Sequence, residues 1–187
     1  MTRLMIITGS VRPVRIGGTI ADWVVRGATE AGFDVDAVDL RELQLPFMDE
    51  AAHPVLRQYE HAHTKAWSER VEAAEAFVFV TPEYNHASSP ALQNAIDYLA
   101  HEWNKKPVGF VSYGGVSGGT RGVEHLMPRV NGVGLIRVSP AVEIPFARLQ
   151  LVDDVFEPTE RQQDAFTAML AALPAFLGLH EPLPAVP

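Results

Sequence analysis

Apolar residues along this chain fall into two alternating patterns: short continuous runs, and longer stretches spaced by three and four. Leu4-Met5-Ile6-Ile7-Thr8, Phe77-Val78-Phe79-Val80, Val108-Gly109-Phe110-Val111 and Leu135-Ile136-Arg137-Val138 are runs of strand length. Runs with no polar face suit strands covered on both sides, as in a parallel sheet between helix layers. Phe33 to Val38 is read as a further strand, and Thr81-Pro82 as the stop of the third run, because proline brings no donor to a central ladder. Between the runs lie stretches of helical period. Thr19 to Ala31 sets Ile20, Trp23, Val24 and Ala28 on one face before Gly32. Leu56 to Ala74 offers Tyr59, Ala66, Trp67 and Val71 as an inward stripe. Pro90 to Leu99, Thr120 to Val130 and Arg161 to Leu177 complete the set. Arg41 to Pro54, with two prolines, reads as an irregular connection, and the tail beyond Gly178 as loosely held. Strand and helix thus alternate five times with no repeat or linker between them. The expectation is an α/β doubly wound parallel sheet, with residues 1–187 forming a single domain.

Composition narrows the class. Of 187 residues 47% are hydrophobic, enough for a core. Cysteine is absent, which excludes disulfides, thiol catalysis and thiolate metal sites. The run Leu4–Ile7 is too short for a signal-peptide core, and no stretch approaches the roughly 20 apolar residues of a membrane span, so a cytoplasmic protein is expected. The net charge of −8 disfavours nucleic acid and anionic membranes. That charge is segregated: Arg3, Arg12, Arg15 and Arg26 against Asp22 give residues 1–27 a net +3, leaving −11 for the rest. A small basic mouth on an acidic body suits a small phosphorylated ligand. Charged residues are 20% of the chain, below the usual ~25%, which suggests that some surface is buried between subunits.

In doubly wound sheets ligands sit beyond the carboxyl ends of the strands where the winding reverses, and this selects three loops. The first, Gly9-Ser10-Val11-Arg12-Pro13-Val14-Arg15-Ile16-Gly17-Gly18, runs into a helix N-terminus. Free amides, the helix dipole, two guanidinium groups and a hydroxyl make it an anion site; the plainer reading is a turn with solvated arginines. It is neither a dinucleotide fingerprint nor a nucleotide-triphosphate loop. The second, Pro82-Glu83-Tyr84-Asn85-His86, offers an aromatic, an amide and a carboxylate to a planar heterocycle. Its plainer reading is a turn with Asn85 left-handed and Glu83 paired or solvated. The third, Ser112-Tyr113-Gly114-Gly115-Val116-Ser117-Gly118-Gly119, lets backbone approach a flat ligand closely.

The third loop also fits G-x-S-x-G, the nucleophile elbow of hydrolases, with Asp153 or Asp154 and His180 following in order. An arginine-bearing first loop has no role in such an enzyme. His61 and His63, two apart and on different helix faces, are poorly placed for a shared metal and read as solvated; no metal site is expected. Trp23, Trp67 and Trp103 read as core or interface.

Together, Gly9-Ser10-x-Arg12-x-x-Arg15, Pro82-Glu83-Tyr84-Asn85 and Ser112-Tyr113-Gly114-Gly115 resemble the NADPH-dependent FMN reductase family. Leu92-x-Asn94-Ala95-Ile96-Asp97, Glu102-Trp103-x-x-Lys106-Pro107-Val108 and Ser117-Gly118-Gly119-x-Arg121 extend the likeness to about Pro145. The resemblance implies a flavodoxin-like five-stranded sheet of order 2-1-3-4-5, bound FMN and NADPH (or NADH) as donor. It further implies quinone, azo, flavin or metal acceptors and a homodimer or homotetramer. By the same resemblance Ser10, Arg12 and Arg15-Ile16-Gly17 would hold the FMN phosphate. Pro82, Glu83, Tyr84 and Asn85 would line the isoalloxazine, and Ser112, Tyr113, Gly114 and Gly115 would complete the ring pocket beside Ser117 and Gly118. No side-chain catalyst is expected, since the flavin accepts the hydride. An FMN-binding electron carrier is the alternative within the fold, although a carrier's first loop would be rich in Ser and Thr. Pro90-Ala91 and Gln93 depart from the Pro-Gly and Lys common in the family.

Overall fold

A computed structural model describes residues 1–179. The sheet is built from β1 (Arg3–Thr8), β2 (Asp34–Asp39), β3 (Ala76–Tyr84), β5 (Pro107–Tyr113) and β6 (Ile136–Arg137), in the order β2-β1-β3-β5-β6. The short β4 (Ala87–Ser88) returns antiparallel on the end of β3, and β7 (Val142–Ile144) pairs parallel with the end of β5. Leaving out β4, this is the expected 2-1-3-4-5 order. Alternate residues of each strand feed two cores. Leu4, Ile6, Val78, Val80 and Val111 meet α1 (Gly17–Glu30) and α6 (Glu160–Ala172) on one face. Met5, Ile7, Phe77, Phe79, Val108 and Phe110 meet α3 (Ala62–Ala73), α4 (Pro90–Asp97) and α5 (Thr120–Gly132) on the other. All three tryptophans are buried in these cores, as expected.

Several elements differ from the sequence expectation. β3 runs on through Thr81-Pro82, which pair with Ser112 and Tyr113. Val80 O accepts Gly9 N–H on the β1 side, and Pro82, two residues later, turns its nitrogen to that same side past the end of β1, where no donor is needed. The fifth strand is split at Ser139-Pro140 into β6 and β7. The helix expected from Leu56 begins only at Ala62, after a 3-10 turn at Pro54–Leu56, while Leu40–Leu43 forms a short α2. Residues 44–61 instead run as a strap, and His61, which precedes α3, escapes helical spacing and stacks on His63 with ring centroids 5.1 Å apart. Both imidazoles engage Asp49, so neither is simply solvated. The predicted C-terminal helix ends at Ala172 and continues as a 3-10 turn, Leu173–Phe176. A further hairpin, β8 (Leu151–Val152) and β9 (Val155–Phe156), lies against α1 through Phe156, whose ring meets Trp23 edge-on.

Two charges are buried beneath α3. Glu102 accepts hydrogen bonds from Tyr59 and Ser68. Lys106, 3% exposed, donates to the carbonyls of Val71 and Glu72 where α3 ends. Burial pulls the Lys106 ammonium down to about 8, against the opposing pull of Glu72 and Glu102. The unfolded chain keeps this proton until about pH 10.4, so stability rises with pH between about 8 and 10. Urea titrations across that range should show the rise in the wild type and a flatter profile in Lys106→Met.

Candidate functional site

The first loop is built around an unusual helix start. α1 begins at Gly17 with no side-chain cap and no acidic residue in its first turn, so its leading amides and positive dipole end are uncompensated. By contrast, α6 opens with a complete capping box between Thr159 and Gln162. The phenol of Tyr113 reaches this bare N-terminus from β5; a Cβ at Gly17 would lie 2.2 Å from its oxygen, which explains the glycine. Tyr113 is 6% exposed, and among the described residues its hydroxyl has no hydrogen-bond partner. Burial pushes the phenol up, so it stays a donor. Leaving a buried hydroxyl unpaired costs about 1–3 kcal/mol. An orphaned donor beside uncompensated amides is the environment an anion would complete.

Ser10, buried at the end of β1, shares a 2.6 Å hydrogen bond with the Tyr84 hydroxyl. Arg15 lines the cleft but is committed to a carboxylate. Its guanidinium grips Asp39 at the end of β2 with both terminal nitrogens and donates to Ser10 O at 2.6 Å. The Asp39 bond raises the Arg15 pKa; burial opposes ionisation of Asp39, but Arg15 and the Arg41 amide outweigh it and hold the carboxyl below its usual range. Arg12 stays exposed on the rim, with no hydrogen bond or ion pair among the described residues.

The second loop closes as a two-residue hairpin in which Asn85 and His86 both take positive φ, 47° and 66°. Asn85 is therefore the left-handed turn residue that the plainer sequence reading anticipated, and its exposed side chain lies outside the cleft lining. Glu83 is fully engaged: Ser117 donates to it at 2.7 Å and Arg121 at 2.8 Å. Burial opposes its ionisation, yet these bonds hold the carboxyl below the usual range. In the third loop Ser112 donates to Gly118 O, and Gly119 has φ 91° with its Cα so close that a Cβ would lie 2.6 Å from Tyr113 N. These bonds fold the loop back under itself.

Ser10, Arg12, Arg15, Ile16, Pro82, Glu83, Tyr84, Tyr113, Gly114 and Gly115 converge on one solvent-open cleft of about 250 Å³, and Gly17 contacts Tyr113 at its edge. Ser117 and Gly118 face a separate cavity behind the third loop, and Ser112 lies buried beneath it. Ser117 donates to the Glu83 carboxylate rather than to an imidazole, Asp153 and Asp154 form the tip of the β8–β9 hairpin, and His180 lies outside the described residues. That geometry removes the support for a nucleophile elbow. Two residues escaped the sequence reading. Asp39 carries no local signal, because its partner is 24 positions away. Arg148 lines the cleft from a segment beyond the recognisable motifs.

The chain matches the NADPH-dependent FMN reductase family over residues 2–148. It belongs to that family. An NAD(P)H-dependent FMN reductase of Schizosaccharomyces pombe is 40% identical over 160 residues, 83% of this chain and 79% of its own length. A probable NADPH:quinone oxidoreductase of Oryza sativa is 31% identical over 66% of this chain and 64% of that one. An FMN-dependent NADPH-azoreductase of Staphylococcus haemolyticus is 29% identical over 65% of each. In fold, the chain superposes on a flavoenzyme NAD(P)H:(acceptor) oxidoreductase of Paracoccus denitrificans with a TM-score of 0.72 at 20% identity, covering 95% of this chain and all of that one. The reductase is thus a flavodoxin-like oxidoreductase of the FMN- and NAD(P)H-dependent kind.

Asp39→Asn strands the largely buried Arg15 charge and should cost about 2–3 kcal/mol at pH 7. Because the folded Asp39 pKa is depressed, its contribution is present above the unfolded value near 4 and is lost as pH falls further. Denaturant curves of the two proteins should therefore converge below pH 4.

Proposed function

We propose that the cleft at the ends of β1, β3 and β5 holds FMN, and that the reductase draws hydride from NADPH or NADH to reduce small acceptors such as quinones, azo compounds, free flavin or metal ions. The observation that carries this reading is the orphaned Tyr113 hydroxyl beside the uncapped start of α1. Such a donor set fits a phosphate. Bound there, FMN supplies two-electron redox chemistry between nicotinamide and acceptor.

The chain's own residues bind and orient. Ser10, Arg12, Tyr113 and the amides of Ile16 to Gly18 hold the phosphate. Arg15 shapes that loop through Asp39 rather than touching the ligand. Pro82, Glu83 and Tyr84, with the Asn85 turn behind them, form one wall of the ring pocket, and Gly114 and Gly115 form the other. Ser112, Ser117 and Gly118 hold the second wall in shape through their bonds within the loop and to Glu83. Among the described residues the one carboxylate that lines the cleft, Glu83, is engaged by Ser117 and Arg121 and not free to move a proton, in keeping with a reaction that needs none from the protein. The open cleft admits varied acceptors.

The proposed setting is cytoplasmic, without nucleic-acid or membrane partners; no helix among the described residues is long and apolar enough to cross a membrane. A homodimer or homotetramer is supported by an apolar groove of about 500 Å³ beside the first loop, where Val11, Leu45, Pro46, Pro90 and Ala91 surround a Phe47 that is 85% exposed. The departure at Ala91 lines this groove.

Purified protein should show the absorption of oxidised flavin, and anaerobic NADPH should bleach it within minutes; flavin that resists NADPH and NADH would favour the electron carrier. Arg12→Ala should purify largely colourless, and full retention of flavin would refute the phosphate assignment. Phe47→Glu should lower the mass measured by light scattering to that of one chain.

A further inference from the structure

The cleft has a second unpaired guanidinium, which comes from the opposite side. Arg148 sits in the 3-10 turn Ala147–Gln150 between β7 and β8. That turn is fixed to the third loop by Phe146 N, which donates to Gly115 O at 3.0 Å, and Ala147 N, which donates to Gly114 O at 3.4 Å, and it is braced within its own segment by Gln150 Nε2 on Pro145 O at 3.0 Å. Phe146 reverses the chain at φ 49°, and Ala147 is buried in the core. The backbone beneath Arg148 is thus anchored, while its exposed side chain reaches the cleft across from Arg12.

Other arginines near the cleft are committed. Arg15 is held by Asp39, Arg121 by Glu83, and Arg41 reaches Pro13 O. Arg12 and Arg148 make no hydrogen bond or ion pair among the described residues. A phosphate monoester carries nearly two negative charges at neutral pH, and a helix N-terminus offers only about half of one positive charge. With Arg15 neutralised, Arg12 alone leaves such an anion undercompensated. A second guanidinium closes the balance and adds a directed fork of donors. Without a phosphate between them, two cations facing one cleft repel.

The geometry points to Arg148 as the second arm of a clamp with Arg12 that selects ligands bearing a phosphate monoester. This rests on reading the cleft as the flavin site. The monoester is either the 5′-phosphate of FMN or the 2′-phosphate of NADPH, and the two are separable.

The test titrates flavin-free full-length protein, wild type, Arg148→Ala and Arg148→Lys, with FMN and with riboflavin, following quenching of flavin fluorescence. If the clamp holds the flavin phosphate, Arg148→Ala weakens FMN binding by about 10- to 100-fold, the loss expected for one charge-assisted hydrogen bond, and leaves riboflavin binding unchanged. Arg148→Lys should recover part of that loss. If it holds the 2′-phosphate of NADPH, FMN binding is unchanged and Arg148→Ala raises KM for NADPH by a similar factor but not for NADH. Equal weakening of FMN and riboflavin, or no change in either preference, overturns the clamp while leaving the flavin reading intact. Wild-type protein that binds neither flavin overturns that reading and the clamp with it.

Discussion

Burial of both faces of the central sheet is the constraint on which the rest of the molecule depends. With Leu4 and Ile6 committed to one core and Met5 and Ile7 to the other, β1 has no side on which a polar group can stand without displacing apolar contacts. Polar chemistry is displaced to the strand ends, and all three ends concerned lie at the carboxyl edge because the strands run parallel. Ser10, Glu83 and Tyr113 meet there although 30 to 73 positions separate neighbouring members of the set, roughly the spacing of successive turns of a doubly wound chain.

Charge at that edge is sorted by pairing. Asp39 takes Arg15 and Glu83 takes Arg121, each through more than one nitrogen, so these two ion pairs stiffen the first and third loops without contributing net charge to the cleft. The acidic body of the protein therefore coexists with a positive mouth. What sets the sign of the mouth is the number of arginines left without a carboxylate, together with the bare end of α1. A count of basic residues in the first loop overstates it, because Arg15 is neutralised from another strand.

The fold was legible in the sequence because its signals are local: continuous apolar runs, period-3.6 helices such as the Ile20–Trp23–Val24 stripe, and glycines at strand ends. The cleft was legible in outline for the same reason, since the rule for ligand position needs only the strand ends. What escaped depends on contacts that no window contains. Pro82 stays in its strand because β1 has already ended; nothing near Pro82 says so. His61 and His63 stack because α3 starts later than its polar pattern suggests, which is decided by the strap's bonds from Glu50 to the amides of Glu60 and His61. Ser117 matched an elbow motif letter by letter, yet its partner is a carboxylate 34 residues earlier. Arg148 lies in a stretch with no recognisable pattern.

The hairpin at the end of β3 has a further consequence. Its two turn residues, Asn85 and His86, are both left-handed without being glycine, a conformation maintained only because β4 pairs back onto Glu83 and Tyr84. A wall so over-determined has few alternative positions to relax into. Glu83 and Tyr84, which reach the cleft from that hairpin, are therefore held in place by backbone pairing as well as by their own side-chain bonds.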